Sequence, residues 1–293
     1  MNTKLAQAKF RSTLGRVGAL AISLPPAGVT TVNIPNVGSP SDDLGCRLGA
    51  VMYVPDPAVY PQPWHCFVGT VASGFKNFGP QEDVVMKFLA GAGYLCLFNR
   101  TRLISTLAPG QTTDGKWHQQ TDDMKISVRY MRSNPGGLGY AVTGKVITIG
   151  GSGSAHHALY MALDGALGDD KADAAICMSP PTDFSDRQSD VSSNVIHDVT
   201  LYGRTTDLPT LRSESPIALN LANASPILHF NGDHENMALS MLTLFENAMA
   251  TAGAVDYTPI LNTGTVGTLH SFAMFPYVQE AILAWAQARF PTS

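Results

Sequence analysis

Residues 146–159 read VITIGGSGSAHHAL, a β-branched apolar run that meets glycines and a lone serine before helix-forming residues begin. Val146 to Ile149 reads as a strand and Ala155 to Leu163 as a helix, so the chain must reverse direction within Gly150-Gly151-Ser152-Gly153-Ser154. A strand-to-helix turn this tight brings the two elements very close and holds its central residue in a strained backbone conformation, which requires small residues two positions either side. Gly150 and Ser154 meet that demand. The result is a nucleophile elbow that lifts the Ser152 hydroxyl above the sheet edge. The usual spelling G-x-S-x-G ends here in serine, and small-x-Ser-x-small is its physical content.

The pattern around the elbow predicts an α/β chain. VTTVNIP (29–35) and RLGAVMYVP (47–55) read as an opening antiparallel pair, joined by the turn-rich NVGSPSDDLG. Trp64 to Val68 is a short strand running into Gly69-Thr70-Val71-Ala72-Ser73-Gly74, a stretch with too little bulk to start a helix. Residues 81–92 have helical spacing and an acidic first turn suited to the helix dipole. YLCLFN (94–99) is a strand, and residues 100–118 a loop whose Trp117 and His118 either line a pocket or pack. Residues 120–134 form a second helix with Thr121 or Asp122 as cap, closed by Asn134-Pro135-Gly136-Gly137. After the elbow come a strand at 172–179 and a polar, Pro-rich stretch at 180–225, too long for an ordinary connection and read as a cap insertion. PILHFNGDHEN (226–236) is a strand ending in a polar cluster, 238–253 a helix, 255–261 the last strand and 263–272 a loop. Residues 276–290 form the closing amphipathic helix, with Pro276 favouring its start. Alternating strands and helices imply a mostly parallel central sheet with helices on both faces.

With 293 residues the chain can build one large core, read as a single domain over 29–293 after an N-terminal helical segment at 1–28. Residues 4–24 have four basic residues and then VGALAISL, a faint likeness to a signal peptide in which the apolar run is short and glycine-interrupted. Charged residues are only 14% of the chain, net charge is −4, and there is no Lys/Arg run, which argues against a nucleic-acid partner. No run approaches the ~18 apolar residues of a membrane span. Oligomeric state and compartment, cytoplasmic or secreted, are left open. The four cysteines lack metal spacing and read as buried thiols, with a Cys46–Cys66 disulfide open to a secreted protein.

A serine hydroxyl needs a base within hydrogen-bond reach, itself oriented by a carboxylate. In this fold the order is Ser, acid, His, which selects His270, between the last strand and the last helix. The acid is Glu235 or Asp233, both just after the strand at 226–231; Glu235 is preferred. If not catalytic, Asp233 is a helix cap and Glu235 a surface carboxylate. The oxyanion of a tetrahedral intermediate needs preset donors. Gly153 N–H supplies one by position, and Thr70 N–H is the second, with Gly69 and Val71 as neighbours. His156-His157 and the group His229, Asp233, His234, Glu235 lack any established metal spacing, so no metal and no cofactor is expected.

These residues resemble the α/β-hydrolase superfamily, in particular its esterase/lipase branch of hormone-sensitive-lipase-like carboxylesterases and feruloyl or acetyl-xylan esterases. The resemblance covers roughly residues 45–290, judged by motif order. GGSGSAHHAL is similar to G-x-S-A-G-G-H-L-A, with His156 on the family's histidine. Residues 215–235 are similar to the S-P…P-x-L-h-x-H-G-x-x-D segment, which places Glu235 on the acid, and GTLHSF is similar to G-x-x-H-x-F, with His270 as base. Two departures stand out: Phe67-Val68-Gly69-Thr70-Val71 replaces the H-G-G-G oxyanion stretch, and the acid is Glu where Asp is commoner. The resemblance implies an α/β-hydrolase fold and a serine ester hydrolase for short acyl or aryl esters. The alternatives are a peptidase or lactonase on the same triad, or a binding protein with a degraded site.

Overall fold

The computed structural model describes residues 28–38, 49–70, 81–102, 117–133, 137–188 and 207–292. Among these residues eight strands form one sheet: β1 (Thr30–Ile34), β2 (Ala50–Val54), β3 (Trp64–Gly69), β4 (Leu95–Asn99), β5 (Val142–Gly151), β6 (Ala174–Met178), β7 (Ile227–Gly232) and β8 (Tyr257–Asn262). Their order is β1-β2-β4-β3-β5-β6-β7-β8. β1 and β2 pair antiparallel with each other and β2 antiparallel with β4, while every later pairing is parallel. The inner strands have no solvent face, so LCLFN of β4 and AAICM of β6 are buried at every position, as continuous apolar runs in a parallel sheet should be.

Among the described residues seven helices accompany the strands: α1 (Gln81–Gly91), α2 (Trp117–Arg132), α3 (Gly153–Leu163), α4 (Leu208–Ser213), α5 (Leu239–Thr251), α6 (Gly264–Gly267) and α7 (Phe275–Gln287). The two-residue period of the strands sorts the core. Phe67, Cys96, Phe98, Ile147, Ile149, Ile176, Met178, Leu228 and Phe230 pack with α1 and α7. On the opposite face Cys66, Val68, Leu95, Leu97 and Val146 meet Met124, Val128 and Met131 of α2, while Ala175, Cys177 and Ile227 meet α3 and Phe245 of α5.

The differences from sequence are mostly boundaries. β5 begins four residues early, because Val142 pairs with Trp64 across a register shift in β3. α2 starts at Trp117, so Thr121 and Asp122 lie inside the helix and cap nothing; Thr121 Oγ1 instead bonds Nδ1 of His157 at 3.2 Å. The expected loop at 263–272 contains the one-turn α6 and the start of a 3₁₀ turn at Ser271–Met274, and α7 starts at Phe275 with Pro276 in its first turn. Cys66, Cys96 and Cys177 are buried free thiols, so the Cys46–Cys66 bridge is absent; Cys46 itself lies outside the described residues, as do the N-terminal segment up to residue 27 and residues 189–206 of the insertion. The flanks of that insertion are tied down. Thr182 Oγ1 donates to the Met241 carbonyl at 2.9 Å, Phe184 N–H donates to Ser215 Oγ at 2.7 Å, and Asp183 pairs with Arg212. Among the described residues no helix is long and apolar enough to cross a membrane.

At the sheet edge away from the elbow, Arg132 binds the carbonyls of Asp169, Gly144 and Lys171 and the carboxylate of Asp173 at 2.7 Å. Asp173 also accepts from Lys145 Nζ and from Val146 N–H, tying α2 to β5 and to the segment entering β6. Removing one partner of a buried pair typically costs 3–5 kcal/mol, and Lys145 still partners Asp173, so Arg132→Met should lower stability by about 2–3 kcal/mol in urea unfolding at pH 7. A loss under about 0.5 kcal/mol, the size of an ordinary surface change, would contradict the role.

The core also carries neutral histidines. Burial lowers His156 from the usual 6.5 to about 4 and His229 to about 3, and holds His157 well below its ordinary range. His229 Nδ1 meets the Tyr257 hydroxyl at 2.8 Å, and His157 Nε2 meets Gln120 Oε1 at 2.8 Å. Below pH 6.5 the unfolded chain binds protons at these sites while the folded chain does not. Their contribution is therefore full above that pH and is lost as pH falls toward about 4 at His156 and about 3 at His229. The expected loss is up to about 1.4 kcal/mol per pH unit for each histidine. Urea midpoints should fall from pH 7 to pH 5, with a shallower slope in His229→Gln; equal slopes would refute the assignment.

Candidate active site

The elbow forms where β5 runs into α3 with a single residue between them. Ser152 has φ 56° and ψ −123°, a left-handed conformation that side chains rarely adopt. The helix holds it there. His156 N–H donates to the Ser152 carbonyl at 3.1 Å, and Ser152 N–H donates to Met178 O of β6 at 2.9 Å. A Cβ on Gly150 would lie 2.2 Å from the backbone carbon and oxygen of Ser154, so only glycine fits. Ser154, in place of the usual glycine, has a use of its own: its Oγ accepts from Gly151 N–H at 2.8 Å and donates to Gly151 O at 3.0 Å, closing the turn on itself.

His270 and Glu235 are brought together by two loops pressed backbone to backbone. A Cβ on Gly232 would sit 2.2 Å from Gly267 O, and one on Gly267 would sit 2.0 Å from Asp233 Oδ1. Across this contact His234 N–H donates to Gly267 O at 3.0 Å and Asp233 N–H to Asn262 O at 3.0 Å. Glu235 then turns inward with no solvent exposure of its side chain. Its Oε1 accepts from Gly232 N–H and its Oε2 meets His270 Nδ1, both at 2.6 Å. A carboxylate only accepts, so Nδ1 carries the proton of this bond, and in the neutral imidazole Nε2 is then the acceptor nitrogen. Asp233 neither reaches His270 nor caps a helix; its Oδ1 is buried against Gly267 without a partner, and its Oδ2 stands 4.0 Å from His234.

The His270 loop rests on the elbow. A Cβ on Gly151 would lie 2.3 Å from Ser271 Oγ and 2.9 Å from Phe272 N, so the residue after His270 touches the residue before Ser152. Thr70 follows the last paired residue of β3, Gly69, whose own Cβ would strike Met86 Cε at 2.2 Å. The buried Thr70 hydroxyl donates to the Asn99 carbonyl at 3.0 Å, with Thr101 Oγ1 at 3.3 Å. Behind this, Arg102 forms a fork with Asp123, whose carboxyl is raised by burial against the opposing pull of the guanidinium. Val71 lies outside the described residues, as do the side chains of Trp117 and His118.

Neither histidine group considered for metal converges. His156 is buried, with Nδ1 3.3 Å from Pro181 O and its ring on Phe184 at 4.9 Å, while His229 faces Tyr257 and Glu235 faces His270. The sequence reading missed Ser179, whose Oγ accepts from Ser271 N–H at 2.9 Å. A serine one residue past β6 carries no signal in one dimension.

No protein-family model matches the sequence, and no curated protein matches it. Solved structures do. Esterase 2 of Thermogutta terrifontis phosphorylated by paraoxon superposes with a TM-score of 0.66 at 20% identity, covering 93% of this chain and 99% of that one. The native form of the same esterase gives 0.64 at 19% identity, covering 96% and 98%. EstE1, a thermophilic carboxylesterase cloned from a metagenomic library, gives 0.62 at 14% identity over 98% and 96%. The similarity extends over nearly the whole of both chains, and the protein has the α/β-hydrolase fold.

Proposed function

We propose that the chain is a serine carboxylester hydrolase. The observation that carries this reading is the 2.6 Å bond from His270 Nδ1 to the buried Glu235 carboxylate, made on a loop that rests on the elbow of Ser152. That bond leaves Nε2 as the free base, which is the tautomer needed to take a proton from a serine hydroxyl. Ser152 Oγ attacks the ester carbonyl as Nε2 takes its proton. His270 returns the proton to the departing alcohol, and water repeats the sequence on the acyl-enzyme. Glu235 holds the ring and stabilises the imidazolium.

The oxyanion is held by main-chain donors, Gly153 N–H at the start of α3 and Thr70 N–H after β3. The Thr70 hydroxyl is committed to Asn99, so its side chain anchors the loop and the amide serves the substrate. The segment at 180–225, read from the sequence as a cap insertion, contains no broad apolar run that would favour long acyl chains, so the proposed substrates are short acyl or aryl esters. The neighbouring Thermogutta esterase was also solved with propionate bound, a short carboxylate of the kind such a reaction releases.

Hydrolysis of p-nitrophenyl acetate, butyrate and decanoate tests the reading. Turnover should fall with acyl length and be lost in Ser152→Ala, by about 10³-fold or more. Glu235→Gln should lower kcat by roughly 10²- to 10⁴-fold, as loss of the orienting carboxylate does elsewhere, while Asp233→Asn stays within about threefold. No turnover by wild type, together with no labelling of Ser152 by an organophosphonate, would instead favour a binding protein on this fold.

A further inference from the structure

Among the described residues, three that are not glycine have φ in the left-handed region: Ser152 at 56°, Ser179 at 55° and Ser271 at 60°. They lie together. Ser152 N–H donates to the carbonyl of Met178, the residue before Ser179, and Ser271 Oγ lies over Gly151, the residue before Ser152. Ser179 Oγ accepts from Ser271 N–H at 2.9 Å, and Ser179 is fully buried. Glycine would reach such a backbone conformation without strain, so a side chain at position 179 must supply something glycine lacks. What it supplies is an acceptor for a buried amide.

That amide belongs to the peptide joining His270 to Ser271. Holding it sets the plane of the peptide and so the direction of the His270 Cα–Cβ bond. The Glu235 bond constrains the ring at Nδ1 only, and a ring tied at one atom can still pivot. Two anchors, one on the ring and one on the adjoining main chain, define where Nε2 points. Ser179 is fixed in turn by the strand that carries the acid: its N–H donates to Phe230 O of β7 at 2.8 Å, two residues before the Gly232 N–H that holds Glu235 Oε1. The circuit Ser179, β7, Gly232, Glu235, His270, Ser271 therefore closes on itself.

We propose that Ser179 is a positioning residue for His270, acting through the Ser271 amide. It touches neither substrate nor reacting atoms, and the proposal rests on the esterase reading above. The test compares Ser179→Ala with Ser179→Gly. Both lack the hydroxyl, but glycine relieves the backbone strain that alanine retains, so the two should differ in thermal stability. Positioning predicts that kcat falls alike in both, by about ten- to a hundredfold, with KM within about twofold, since small displacements of a catalytic group cost rate rather than binding. It also predicts that the downfield ¹H resonance expected for the His270 Nδ1 proton in wild type broadens or disappears in both variants. Both variants keeping kcat within twofold of wild type, or activity following stability so that only alanine is impaired, would overturn the proposal. If wild type neither hydrolyses esters nor labels at Ser152, the esterase reading fails, and the resonance decides alone: unchanged in both variants, it overturns the positioning role; lost in both, it sustains it.

Discussion

The close crossing of β5 and α3 governs the rest of the structure. With a would-be Cβ of Gly150 only 2.2 Å from the backbone of Ser154, strand and helix leave room for one residue between them, and that residue is forced to a positive φ. Such a conformation persists only where its surroundings over-determine it. Here Ala155, Ala158 and Ala162 let α3 lie flat on the sheet, Thr148 Oγ1 reaches across to Ala158 O at 2.9 Å, and Ser154 ties its hydroxyl to both polar groups of Gly151. Serine takes the place of glycine at the end of the motif with its hydroxyl bonded locally to Gly151. A one-carbon side chain with a hydroxyl satisfies the turn and still leaves the backbone approach intact.

Glu235 and His270 are brought together by a second contact of the same kind. Gly232 and Gly267 bring the turn after β7 against the turn after β8, Gly232 facing the Gly267 carbonyl and Gly267 facing the Asp233 carboxylate. Sequence order alone left Asp233 and Glu235 in competition. In space the competition is unequal: the backbone of Asp233 is spent on Asn262 and its carboxylate is directed at Gly267, whereas Glu235 comes two residues later and folds back under Gly232. The additional methylene of glutamate suits a carboxylate that must span the distance from the turn to the histidine.

Polar groups below the site are similarly pinned. Thr70, Asn99 and Thr101 join the ends of β3 and β4, and the largely buried Arg102 fork on Asp123 holds that corner to α2. His156 and His157, beneath the elbow, are neutral and hydrogen-bonded, with burial as the cause. The candidate site is thus carried on a floor in which titratable groups have structural partners, while Ser152, Glu235 and His270 follow the carboxyl ends of β5, β7 and β8.

The sequence by itself determined the elbow, the alternation of strands and helices, the antiparallel opening and the chain order of serine, carboxylates and histidine. These are local or ordinal facts: hydrophobic period, glycine placement and the succession of elements along the chain. Tertiary structure alone decided which carboxylate meets His270, that Gly232 and Gly267 are required by close approach to each other, and that Ser179 holds the amide after His270, since each joins residues 35 to 92 positions apart. Helix and strand limits fell between these cases. β5 is longer than its apolar run because Val142 has a partner in Trp64, and α2 starts before the residues that could have capped it. Propensity describes what a segment prefers alone, but hydrogen-bond partners across the sheet and the shape of the neighbouring loop determine where it ends and what its side chains touch.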